Sequence, residues 1–193
     1  MGRLIINTGM TANGAFEAPA PEAHGGWLVT DPHSMQAGLE MWRAADAMVL
    51  GRRTYEGLSK AWPALAGAPG FEAYAARMNS MPKYVASRTL SGPLEWNAAL
   101  LEGDPAGAVK ALKEEHSGDL IVPCAGELAR GLIAGGLVDE FWFTVSPYLW
   151  DSGPRIFEGI GPVRLEPVST TTFPSGVVRL CYRPAPQGAP AAG

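Results

Sequence analysis

Asp119-Leu-Ile-Val-Pro-Cys-Ala-Gly-Glu-Leu-Ala-Arg-Gly-Leu-Ile-Ala-Gly-Gly-Leu-Val-Asp-Glu-Phe-Trp-Phe-Thr-Val-Ser-Pro-Tyr148 reads as strand, small-residue turn, short helix and second strand. Leu120 to Val122 is a short apolar run, right for a buried strand. Cys124, Ala125 and Gly126 are small, so a backbone or a ligand can approach closely. Leu128, Leu132 and Ile133 are spaced for one helix face, and Gly135-Gly136 end that helix. Phe141 to Val145 has the aromatic and β-branched content of a strand. A helix that starts directly after a buried strand aims free backbone N–H groups at whatever lies above the strand end. The unit is therefore either an ordinary βαβ crossover or one wall of an anion site.

Outward from this unit the same alternation repeats. Arg3 to Thr8, Asp46 to Leu50 and Lys83 to Ser87 are apolar strands, and Trp96 to Leu101 is a short edge strand. Asp31-Pro32 and Asp104-Pro105 each place a capping side chain before a proline at the first helical position, so a helix is expected after each. Further helices are expected from Gly51 and over Phe71 to Ser80, with loops at Ala18 to Gly26 and Ala61 to Gly70. Val163 to Thr172 and Val177 to Arg183 flank Phe173-Pro-Ser-Gly176, a hairpin turn. Strands alternating with helices predict an α/β fold: a mostly parallel central sheet with helices on both faces and a C-terminal antiparallel hairpin. No linker divides the chain. Residues 1–185 are expected to form one domain and 186–193 a disordered Pro/Ala/Gly tail.

Composition narrows the function. The chain has 193 residues, 47% hydrophobic and 18% charged, with a net charge of −4 and no block of like charge. That argues against nucleic-acid or polybasic membrane partners. Two cysteines, Cys124 and Cys181, make no disulfide framework, and neither has a neighbour at metal-ligand spacing, so no metal site is expected. No run approaches the about 18 apolar residues of a membrane span, and the N-terminus lacks a signal-peptide core; a cytoplasmic protein is expected.

Three strand ends carry the chemistry. Gly51-Arg52-Arg53-Thr54, Ser87-Arg88-Thr89 and Cys124 to Leu128 each follow an apolar strand. In an open parallel sheet the carboxyl ends of the strands share one edge, and ligands bind there. Arginine forks, hydroxyls and helix N-termini together suit a diphosphate, with cations to spare for a further phosphate on a ribose.

These residues also carry a resemblance. Leu50-Gly-Arg-Arg-Thr-Tyr-Glu56 resembles the strand-to-helix motif of dihydrofolate reductase folds. Met10-Thr-Ala-Asn-Gly14, Gly126-Glu-Leu128, Gly136 to Tyr148 and Gly153-Pro-Arg-Ile-Phe157 resemble, in order and spacing, the reductase group that includes the C-terminal domain of the bifunctional riboflavin-biosynthesis deaminase-reductase. The similarity spans about residues 3 to 183. It implies a dihydrofolate reductase-like fold, NADPH as cofactor, hydride transfer to a C=N or C=O carbon of a small heterocycle, and a homodimer. It places Gly51, Arg52, Arg53 and Thr54 at the cofactor phosphates and ribose. Ser87, Arg88 and Thr89 fall around the 2′-phosphate; Cys124, Ala125, Gly126, Glu127 and Leu128 over the diphosphate; Ala12, in a mobile first loop, at the nicotinamide. Asn13, Trp27 and Tyr148 are the expected substrate contacts.

Two positions depart from that group. Asn13 stands where it has aspartate, and an amide cannot ionise. Cys124 puts a side chain where the diphosphate turn has glycine. Dihydrofolate reductase draws its proton through a carboxylate at the start of the first long helix, and Asp31 is the nearest acid here, with Glu17 and Asp151 as alternatives. None of His24, His33 and His116 shows a partner pattern for a catalytic base. Two further readings stay open: a ligand-binding protein that keeps the fold without catalysis, and a dimer module with Phe141-Trp142-Phe143 as its interface strand.

Overall fold

Leu4, Ile5 and Ile6 are completely buried, and they open the central strand of the sheet. The computed structural model describes residues 1–16, 29–124, 126–151 and 153–186. In chain order the elements are β1 (Leu4–Thr11), α1 (Pro32–Ala44), β2 (Ala45–Gly51), α2 (Arg52–Ala64), α3 (Glu72–Ser80), β3 (Lys83–Ala86), β4 (Ala98–Leu100), α4 (Pro105–Glu115), β5 (Asp119–Pro123), α5 (Glu127–Ala134), β6 (Glu140–Ser146), β7 (Leu165–Thr172) and β8 (Val178–Pro184). Of the expected tail at 186–193, residues 187–193 lie outside the described residues, as do the loop over 18–26 and Trp27.

The strand order is β4-β3-β2-β5-β1-β6-β8-β7. The run from β4 to β6 is parallel throughout. β8 joins β6 antiparallel, and β7 closes the hairpin on the outside. This is the expected mostly parallel sheet with a C-terminal hairpin. In the Phe141-Trp142-Phe143 stretch, β6 is hydrogen-bonded on both sides and Phe141 and Phe143 are buried in the core, so β6 has no free strand edge to offer a second chain.

Alternating strand residues feed two cores. Leu4, Ile6, Val49, Leu120 and Val122 face α4 and α5, meeting Val109, Leu112, Ala129 and Leu132. Ile5, Met48, Leu50, Val85 and Ile121 face α1, α2 and α3, meeting Met41, Trp42, Tyr55 and Met78. Each fully buried aliphatic side chain contributes about 1.5–3 kcal/mol. Helix starts follow their expected chemistry. Asp31 caps α1 by accepting from the backbone of His33 and Ser34, and Asp104 caps α4 by accepting from Gly107. At the other end of α1, Arg77 of α3 donates to the carbonyl of Trp42 in the last helical turn and to that of Ala45 at the start of β2.

α2 runs further than expected, to Ala64, because Trp62 stacks on Tyr74 with ring centroids 5.6 Å apart. The stack pins the Tyr74 hydroxyl against Gly38 of α1, where an added Cβ would lie 2.1 Å from it. Gly38→Ala is therefore expected to destabilise the protein by about 1–2 kcal/mol, overpacking outweighing the gain in helix propensity. Gly57→Ala, with nothing within 4 Å, is expected to stabilise it by about 0.5–1 kcal/mol. Urea unfolding of the pair checks the sign reversal.

Candidate functional site at the carboxyl edge

β2 ends at Gly51, paired with Ala86 at the end of β3, and β5 ends at Pro123 on the other side of β2. The three strand ends singled out in the sequence therefore lie side by side. Gly51 and Gly126 immediately precede α2 and α5, and neither helix has a side chain capping its N-terminus, in contrast to α1 and α4. The two starts touch: a Cβ on Gly51 would sit 3.7 Å from that of Leu128. Two adjacent helix N-termini thus keep backbone N–H groups and positive dipole ends for an anion.

Cations surround them. Arg52 and Arg53 begin α2 and are exposed, Arg52 lying 3.4 Å from Glu56 one turn on. Arg88 reaches across from the end of β3 to Glu127, 3.7 Å away, with both side chains in solvent. An exposed pair of that kind is worth little, so Arg88 is available to a ligand phosphate. The Ser87 hydroxyl accepts from the backbone N–H groups of Thr89 and Leu90 at 3.1 and 2.9 Å and so shapes the turn that presents Arg88. Thr54 is half-buried in the first turn of α2, and Thr89 is exposed. Cys124 is exposed and takes φ +71°, the left-handed region that favours glycine. Its backbone N–H donates to Asn7 at 3.0 Å, which holds the turn down on β1. Ala125 lies outside the described residues.

The first loop is stitched down. Ala12 N–H donates to the Tyr148 carbonyl at 2.9 Å, and Ile156 N–H to Gly14 at 2.9 Å. Asn13 clamps Trp150 from both sides: Nδ2 donates to its carbonyl at 2.8 Å and Oδ1 accepts its N–H at 3.0 Å. Thr11 donates to the same oxygen at 2.8 Å. An aspartate has no N–H for the Trp150 carbonyl, so the amide at position 13 fits this loop pairing as a carboxylate would not. Tyr148 is 42% exposed beside it.

Asp31 sits at the same edge, where α1 meets the hairpin turn. Besides its two capping bonds it accepts a hydrogen bond from the Ser175 hydroxyl. Ser175 first, and then the Ser34 and His33 backbone N–H groups, lower its pKa to about 2. Asp31 therefore caps α1 and is an acid at this edge of the sheet. Asp151 is exposed nearby, and Glu17 and His24 lie outside the described residues. His33 is exposed, 3.6 Å from Asp31. His116 does have partners, Asp46 at 3.4 Å and the Tyr84 hydroxyl at 3.2 Å, but at the start of β2 and β5, the opposite edge of the sheet.

The structure adds residues that sequence reading passed over. The side-chain atoms Ser146 Oγ, Trp150 Nε1 and Arg179 Nε are buried with no hydrogen-bond partner among the described residues. Arg179 could have been flagged, because Val177 and Cys181 set the phase of a buried face and Arg179 falls between them. No group of metal-ligating side chains occurs among the described residues, and no described helix is long and apolar enough to cross a membrane.

The carboxyl edge of a parallel sheet thus carries two helix N-termini without side-chain caps, flanked by arginines, in an α/β fold of reductase type. The chain belongs to the RibD C-terminal domain family, whose sequence model matches residues 3–179. It is 25% identical over 181 residues to the uncharacterized protein YyaP of Bacillus subtilis (strain 168), covering 93% of this chain and 94% of YyaP. Among solved structures, its fold matches a putative riboflavin biosynthesis protein from Shewanella sp. PV-4, with a TM-score of 0.72 at 17% identity over 95% of this chain and 99% of that one. It also matches dihydrofolate reductase from Enterococcus faecalis in complex with NADP(H) and RAB-propyl, with a TM-score of 0.61 at 15% identity over 95% and 96% of the two chains. The dihydrofolate reductase-like fold expected from the motifs is thereby shown.

Proposed function

We propose that the protein is an NADPH-dependent reductase of a small heterocyclic substrate, pyrimidine- or pterin-like, accepting hydride at a C=N or C=O carbon. The observation that carries this reading is the pair of touching, uncapped helix starts at Gly51 and Gly126 with Arg52, Arg53 and Arg88 around them. The residues suit a dinucleotide. The two N-termini and Arg52 would bind the diphosphate, and Arg88, raised on the Ser87 turn, the ribose phosphate. NADPH, when bound, supplies the hydride. The chain supplies position, with the pinned loop of Ala12 and Asn13 fixing the nicotinamide end. The completing proton comes through Asp31 or from water. Asn13 and Cys124, the two departures from the reductase group, favour the second reading, a ligand-binding protein that keeps the fold without catalysis.

Titrating the protein with NADPH and with NADH under nicotinamide fluorescence tests the first reading, and failure to bind either sinks it. Binding without oxidation by any of a panel of pterins, pyrimidines and quinones supports the second. Arg88→Ala is expected to weaken NADPH about 10- to 50-fold and NADH less than threefold, since the 2′-phosphate is the only difference between them. Equal loss for both removes Arg88 from that role.

A further inference from the structure

The ladder between β1 and β6 continues where the strands end. Its last strand pair is Thr11 with Ser146. The Ala12 N–H then donates to the Tyr148 carbonyl, and Asn13 meets Trp150. Residues 146, 148 and 150 are thus engaged in turn, and a side chain makes the last step. The Asn13 amide offers Trp150 one donor and one acceptor, as the backbone of a neighbouring strand would. Thr11 is completely buried and aims this amide by donating from Oγ1 to its Oδ1. From the other side Arg155, bridged to Ala15, donates from Nη1 to the same Trp150 carbonyl at 3.0 Å. Trp150 Nε1 is buried without a partner among the described residues, so the loop is tied down at the Trp150 backbone and not at its indole nitrogen.

Asn13 is exposed, so water can satisfy its amide, and these bonds are not needed to keep a polar group from being stranded. What they fix is a place. β1 pairs with β5 on one side and β6 on the other, so the loops after β1 and β6 rise from the carboxyl edge beside the Cys124 turn. The loop after β6 carries Tyr148 and Leu149, 42% and 78% exposed. Two large, adjacent apolar side chains held in solvent at a ligand edge suit one wall of a site for a flat ring. Asn13 itself has little left for a ligand. Oδ1 accepts from Thr11 and Trp150, and Nδ2 donates to Trp150.

We propose that Asn13 is a positioning residue that acts on the substrate through Trp150, by holding residues 148–151 as a fixed wall against which the ring is oriented. This rests on the reading of the edge as a reductase site and deepens it. The amide latches the loop, the loop sets the angle of the ring, and the angle decides how well the reducible carbon meets the hydride. Asn13 is then required for orientation more than for affinity, which separates it from a residue that touches the substrate.

Amide hydrogen exchange of the protein without ligands reads the latch directly. In Asn13→Ala the Trp150 N–H is expected to exchange at least about tenfold faster, while the completely buried Ile5 and Ile121 keep their rates. Asn13→Asp keeps the acceptor for that N–H and loses the donor to the carbonyl, so its rate is expected between the two. Unchanged exchange at Trp150 in Asn13→Ala overturns the proposal. Equal acceleration at Ile5 and Ile121 would make Asn13 a general stabiliser and overturn it too. In turnover of a pterin or a pyrimidine, Asn13→Ala is expected to lower kcat/KM about 30-fold, mostly through kcat, with NADPH binding changed less than threefold. A rise in KM alone would make Asn13 a direct contact and also overturn the proposal. Absence of turnover with every compound would count against the reductase reading alone, leaving the exchange rates to decide the latch.

Discussion

Asp139→Ala is expected to lower the free energy of unfolding by about 3 kcal/mol. Asp139 precedes β6 and ties three elements together. It accepts from Lys113 Nζ of α4 at 2.5 Å and from the backbone N–H of Leu4 in β1 at 2.6 Å. Its own N–H donates to the Leu4 carbonyl at 2.9 Å. Lys113 is 6% exposed, and its other partner is the Leu137 carbonyl at 3.0 Å. Removing the carboxylate strands a buried ammonium and an unpaired strand N–H, two of the costliest changes available to a small side chain. The Asp139 side is 37% exposed, so water offsets part of the loss and keeps it at the low end for a buried pair. In a protein of this length the Tm should fall by about 6–12 °C. Asp139→Asn, which keeps an acceptor for Leu4, should lose less. Lys113→Met combined with Asp139→Leu should recover most of the loss, since no charge is then left alone. A double variant as unstable as Asp139→Ala would show that shape, and not charge, sets the cost.

The position of Asp139 illustrates what sequence reading could reach. Gly136 to Tyr148 was legible as a turn followed by a strand because its pattern is local. The link to Lys113 was not, since it joins residues on different elements through the packing of α4. The same division runs through the site. Arg52, Arg88 and Glu127 were legible because each follows an apolar strand, and a parallel sheet brings such ends to one edge whatever the strand order. The strand order itself was hidden. β8, not β7, lies next to β6, because the chain from Pro147 to Arg164 is long enough to reach the outer position before the hairpin returns. Only that order pairs Arg179 with Thr144, so the pairing could not be seen in sequence. Asp31 was legible as a helix cap and as an acid near the strand ends, but its bond from Ser175 was not, since that joins α1 to the hairpin turn. That bond first, and the capping N–H groups after it, lower the carboxylate pKa to about 2.

Lys83→Met is expected to stabilise the protein by about 2 kcal/mol at neutral pH and by much less near pH 10.5. Lys83 begins β3 and is 1% exposed, and among the described residues it forms no ion pair with a carboxylate. Its ammonium donates to the Asn79 carbonyl at 3.0 Å and lies 4.1 Å from the centre of the Trp96 ring. Asn79 also fixes that ring by accepting from Trp96 Nε1 at 2.7 Å. These contacts soften the cost of burial without cancelling it. Burial first, and the like charge of Arg77 second, lower the Lys83 pKa from 10.5 to about 8. The sign follows from linkage. Below pH 8 both folded and unfolded chains hold the proton, and the folded protein bears the full burial penalty. Between pH 8 and 10.5 the unfolded chain binds more protons than the folded one, so stability rises with pH; above 10.5 the penalty is gone. Methionine matches the length of the chain and carries no charge, so its advantage should be greatest at and below pH 8 and fade across that window. Urea midpoints of both proteins at neutral pH and near pH 10.5 provide the measurement. An advantage that does not change with pH would assign the gain to packing, and a loss at neutral pH would show that the Asn79 and Trp96 contacts outweigh desolvation.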